Sequence, residues 1–95
     1  MLVLVTYDVS TVTPAGRKRL RRVARACEDF GVRAQLSVFE CEVDPGQWAL
    51  LRGRLLGCID PQTDSLRFYH LGSGARRIEH HGARPALDPD APLVL

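Results

Sequence analysis

The sequence predicts an α+β domain in which helices pack on one face of an antiparallel sheet. Stretches with a hydrophobic period of two and stretches with a period of 3.6 follow one another in the order β-α-β-β-α-β, with one more strand behind them. The 95 residues are 45% hydrophobic, enough for one core, although a chain this short buries a smaller share of its surface than a large one. No repeat or low-complexity tract interrupts the order.

Residues 2–7, "LVLVTY", are continuously apolar or β-branched, as a central strand buried on both faces requires. Asp8 follows where that strand should end; a carboxylate there serves as a turn-former or as the cap of the next helix. Ser10 to Gly16 reads as a loop rich in Thr, Pro and Gly. In "RKRLRRVARACEDF" the residues Leu20, Val23, Ala24, Cys27 and Phe30 recur at helical spacing, and Gly31 is expected to close the helix as its C-terminal cap. "VRAQLSVFECEV" is long enough for two short strands joined near Gln35 to Ser37; Phe39, Cys41 and Val43 share one face, and Glu40 and Glu42 the other. Asp44-Pro45 starts a second helix, since Asp accepts the free N–H groups and the fixed φ of proline suits the first turn. It runs to about Cys58 with Trp48, Leu51 and Leu55 as its packing stripe, while Gly53 and Gly57 each cost about 1 kcal/mol of helix propensity.

"SLRFYHLG" is the next strand, closed by Gly72 to Gly74, and "ARRIEHHG" a fifth. The remainder holds three of the six prolines and ends in Leu93, Val94 and Leu95, an extended tail with an apolar end. The division expected is a core over 1–82 and a tail over 83–95. The element order is the ferredoxin-like pattern. It leaves one face of the sheet bare, so a homodimer through that face is expected, with the tail packed on the other subunit.

Charge is segregated beneath a net value of only +2. Arg17, Lys18, Arg21, Arg22 and Arg25 fall in an arc of roughly 140° opposite the Leu20, Val23 and Cys27 stripe. A solvated face usually alternates signs for i,i+4 pairing; here like charges repel at Arg17/Arg21, Arg21/Arg25 and Lys18/Arg22. The ridge therefore points to a polyanion, and the predominance of arginine to phosphate contacts without an ordered base-reading set.

Other signals are weaker. Cys27, Cys41 and Cys58 are odd in number and widely spaced, as thiols buried in a reducing cytosol would be. Met1 leads directly into a strand too short for a membrane span and without signal-peptide features, so an untargeted, soluble cytoplasmic protein is expected. His80 and His81 are adjacent in a strand and point to opposite faces, which argues against one shared metal. Glu40, Glu42 and Asp44 alternate on one strand face, where a bound cation is one reading and a solvated acidic face the commoner one. Nucleophile triads, glycine-rich nucleotide loops and zinc spacings are absent from the sequence.

Together "LVTYD", "RKRLRRVAR", "RAQLSVFEC" and "DSLRFYHLG", in this order and over nearly the whole chain, resemble the CRISPR-associated Cas-two family, with a C-terminal "DPDAPLVL" like that of short subtype I-C members. The resemblance implies a homodimer in which two copies of Asp8 approach each other across a cleft and hold a divalent metal, Mg²⁺ or Mn²⁺, for phosphodiester hydrolysis of RNA or duplex DNA. Asp8 is then both metal ligand and catalytic residue. Arg33 joins the ridge of helix one in contacting phosphate, and Tyr7, Ser37 and Phe39 shape the cleft, a turn hydroxyl and a core ring being the plain alternatives for the last two. The resemblance also implies a partnership with the Cas-one integrase, for which the protein holds DNA during spacer acquisition. A DNA-binding scaffold without catalysis is the alternative reading.

Overall fold

The computed structural model describes residues 1–72 and 77–83. Its elements are β1 (Leu2–Asp8), α1 (Pro14–Glu28), β2 (Val32–Gln35), β3 (Val38–Glu42), α2 (Pro45–Cys58), β4 (Ser65–Leu71) and β5 (Arg77–Gly82). The strands form one sheet in the order β2-β3-β1-β4-β5, antiparallel at every neighbouring pair. This is the expected βαββαβ frame with an extra edge strand. The expected tail over 83–95 lies, apart from Ala83, outside the described residues.

The period of two decides which side chains meet. Val5 stands opposite Phe39 on β3 and Phe68 on β4, and with Val3, Tyr7, Cys41 and Leu66 these residues form a core with Val23, Ala26 and Cys27 of α1 and Trp48, Leu51 and Leu55 of α2. The alternate residues Leu2, Leu4, Thr6 and Asp8 lie on the face turned from the helices. There Leu4, Val38 and Tyr69 make a second, small buried cluster. Leu71 and Ile78, in register with Leu2 and Tyr69 on that same face, are exposed.

Three local expectations change. Helix α1 starts earlier than the loop reading allowed: the Thr13 hydroxyl accepts from the Gly16 N–H at 3.1 Å, and Pro14 occupies the first turn. Gly31 does not cap α1; Asp29 does, in right-handed helical geometry. Gly31 is needed for a close approach instead, because a Cβ there would come within 2.5 Å of Cys41 Sγ and of the Glu40 carbonyl oxygen. Of the three cysteines, Cys27 and Cys41 are buried, but Cys58 is half-exposed at the end of α2. None of the described helices is long and apolar enough to cross a membrane.

Candidate nucleic-acid interface

The α1 sequence sorts its side chains by helical phase. Val23, Ala26 and Cys27 are buried against the sheet, and Arg17, Lys18, Arg21, Arg22 and Arg25 are exposed on the opposite side. The ridge expected from the sequence is thus present as a single cationic face. Arg17 donates to the Thr11 carbonyl at 3.2 Å, and Arg25 lies 3.7 Å from Asp29. Screening by salt makes such exposed pairs weak, so they leave the ridge available to a ligand.

Arg19 departs from its neighbours. Its phase, 200° from Arg17 at 100° per residue, falls between those of Ala26 and Val23, so it must enter the packed side. There its Nε donates to Asp64 at 2.8 Å. Asp64 has no exposed surface, and its carboxylate also accepts from the N–H groups of Asp60 (2.8 Å) and Ser10 (3.0 Å) and from the Thr63 hydroxyl (3.1 Å). Burial alone would raise its pKa, yet these donors, Arg19 foremost, hold it below the usual carboxylate value. Sequence reading missed Asp64, although an arginine phased with the apolar stripe signals a buried carboxylate partner.

Arg33 stays exposed on β2, opposite Phe39 of β3. Its guanidinium lies 4.7 Å from the centre of the Phe39 ring, donates to Glu28 at 3.2 Å and bonds the Leu36 carbonyl. That same carbonyl accepts from the Tyr7 hydroxyl at 3.2 Å, and the Tyr7 and Phe39 rings stack with centroids 6.2 Å apart. The half-buried Ser37 adds its carbonyl, which accepts the Tyr7 N–H at 3.2 Å. Tyr7, Arg33, Ser37 and Phe39 therefore meet at one corner, where the β2–β3 turn crosses the end of β1. Phe39 has no exposed surface and belongs to the core. Burial raises the Tyr7 pKa, partly opposed by Arg33.

Asp8 sits beside this corner in sequence but not on the same face. It is the exposed last residue of β1, opposite Ser65 of β4, on the side of the sheet away from the helices. No group of three or more His, Cys, Asp or Glu that could hold a metal occurs among the described residues. The register confirms the opposed histidines: His80 faces Arg67 on the open side, and His81 faces Leu66 on the core side. His81, His70 and Arg52 instead converge on Glu79, which ties β5 to α2 at 3.1–3.3 Å.

The chain matches the family model described as "CRISPR associated protein Cas2" over residues 1–77. It is 59% identical to the CRISPR-associated endoribonuclease Cas2 of Chlorobaculum tepidum over the full length of both chains. It is 50% identical to the CRISPR-associated endonuclease Cas2 of Halalkalibacterium halodurans, covering 99% of each. Among solved structures, Streptococcus pyogenes Cas2 superposes with a TM-score of 0.70 at 61% identity, over 76% of this chain and 87% of that one. A hypothetical protein from Thermus thermophilus follows at a TM-score of 0.61 and 30% identity, over 80% and 93%. The family match runs from the first strand to the start of the fifth, the Chlorobaculum tepidum relative agrees over the full chain, and the chain belongs to the CRISPR-associated Cas2 family.

Proposed function

We propose that this protein is a nucleic-acid-holding subunit of CRISPR adaptation that works as a homodimer, partners the Cas-one integrase during spacer acquisition, and cleaves phosphodiester bonds through Asp8. The observation behind the reading is the exposed cationic face of α1, Arg17 to Arg25, opposite a buried stripe. A strand of RNA or DNA meets it as a row of phosphates, and release of counterions supplies affinity that depends steeply on salt and little on sequence. The names of the relatives, endoribonuclease and endonuclease, support phosphodiester hydrolysis.

The open face of the sheet favours a second copy. Exposed Leu71 and Ile78 flank the buried Leu4, Val38 and Tyr69 cluster, and covering them removes apolar surface from water. The exposed Asp8 lies on that same face, so the approach of two protomers gathers two carboxylates. A hard divalent cation such as Mg²⁺ or Mn²⁺ suits this donor set, because it takes one or two carboxylates and fills its other positions with water and substrate phosphate. Bound there, the cation supplies Lewis-acid polarisation of the scissile phosphate. Asp8 orients it, and the α1 ridge retains the nucleic acid.

Incubation of the protein with RNA and with duplex DNA, with and without Mg²⁺, tests the enzyme. Asp8→Asn is expected to abolish cleavage while preserving binding; equal cleavage by this variant sinks the assignment. A scaffold without catalysis is the second reading. One observation favours it: within one chain the ridge and Asp8 lie on opposite sides of the sheet. Under that reading Asp8→Asn leaves spacer insertion with the integrase intact, whereas Arg21→Glu with Arg25→Glu abolishes DNA retention.

A further inference from the structure

Helices α1 and α2 lie side by side, and between them the surface sinks into a hollow of about 410 Å³ lined by Arg21, Arg22, Arg25, Arg54 and Cys58. Three of the arginines belong to the ridge; Arg54 comes from α2. Asp29 is the acidic group paired there, 2.8 Å from Arg54 and 3.7 Å from Arg25. One carboxylate among four guanidiniums leaves the hollow strongly cationic. Gathering like charges from two helices works against packing, so the cluster is explained by an anion with several charges.

We propose that the α1–α2 hollow seats the phosphate backbone of a nucleic-acid strand, with Arg54 as the contact from the second helix and Asp29 as an internal competitor for it. The inference rests on the nucleic-acid reading above and places part of the strand on α2. Continuity favours a strand over a free phosphate: the ridge from Arg17 to Arg25 is about 12 Å long at 1.5 Å per residue, which spans about three phosphates of one strand. A single small anion in so open a hollow meets only part of that charge and is screened by salt. Asp29 competes only weakly, because its pairs with Arg54 and Arg25 are exposed and phosphate can replace them.

Binding of a labelled duplex by the full chain, titrated with salt, tests the seat. Arg54→Gln is expected to lower affinity about eightfold at 0.1 M salt and to reduce the log–log salt slope by about one, the effect of losing one phosphate contact. Asp29→Asn is expected to raise affinity, the opposite sign. Cys58 supplies a footprint, because it is half-exposed while burial pushes the Cys27 and Cys41 thiols up to about 12 and about 11 and leaves them unreactive. Duplex DNA should slow alkylation of Cys58 by N-ethylmaleimide, and inorganic pyrophosphate at equal phosphate concentration should not. If the wild-type chain binds DNA but both variants bind equally well and Cys58 stays unprotected, the seat is overturned and the ridge survives. Protection by pyrophosphate alone overturns it in favour of a free-anion site, and failure of the wild-type chain to bind overturns both.

Discussion

Two aspartates bind arginines of α1, and the two regions behave differently. Asp64, between the α2–β4 connection and β4, is sealed from solvent and spends its carboxylate on Arg19, two backbone N–H groups and a hydroxyl. Asp29, at the end of the same helix, is 44% exposed and holds Arg54 and Arg25 in water. Both regions contain ion pairs. In the first, neither burial nor pairing is separable from the fold, because a buried charge without its donors is costly; in the second, solvent can replace either partner, which leaves the arginines free to change ligands.

The sharpest break of that contrast is Asp64→Ala, which strands the donors of Ser10, Asp60 and Thr63 and should cost about 3 kcal/mol in urea unfolding. A loss no larger than that of Asp29→Ala would erase the distinction. Next comes Gly82→Ala. Gly82 has φ +112°, and a Cβ there would lie 2.0 Å from the Asp64 carbonyl oxygen, which accepts the Ala83 N–H at 2.9 Å. Strain of about 1–3 kcal/mol should lower Tm and loosen β5, read by hydrogen exchange at Arg77 to Gly82.

Acid sharpens the comparison further. Burial acts to raise the Glu79 pKa, but hydrogen bonds from His81, Arg52 and His70 prevail and hold it below its ordinary value, as donors do for Asp64. Groups depressed in the fold contribute stability above the unfolded carboxylate pKa, near about 4, and lose it as pH falls through the lower folded values. Glu79→Gln should therefore cost about 1–2 kcal/mol at neutral pH and flatten the acid limb of the stability curve; an unchanged limb would mean that the cluster adds nothing. Asp29→Asn closes the series with a stability change within about 0.5 kcal/mol, visible instead in nucleic-acid affinity.

What was legible in the sequence follows from periodicity. The strand order of appearance, the stripe of Trp48, Leu51 and Leu55, and the exposed arc Arg17 to Arg25 depend only on 2.0- and 3.6-residue repeats, which local geometry imposes on any chain. The Asp44 cap was equally local, and its capping box with Gln47 is present. The contacts of the exposed Arg33 were not legible, because Phe39, Glu28 and the Leu36 carbonyl converge on it only once β2 has paired with β3.

By itself, then, the sequence determined the elements, their buried faces and the segregation of charge, since each is set by residues within a turn or two of one another. Only the tertiary structure decided that Asp64 would close on Arg19 across 45 positions, that Arg54 would join α1's arginines around one hollow, and that Asp8 would stand on the face opposite the ridge. Those placements depend on how the strands are ordered and how the helices cross them. Contacts between distant segments depend on what the whole core excludes from water, and no local repeat encodes that.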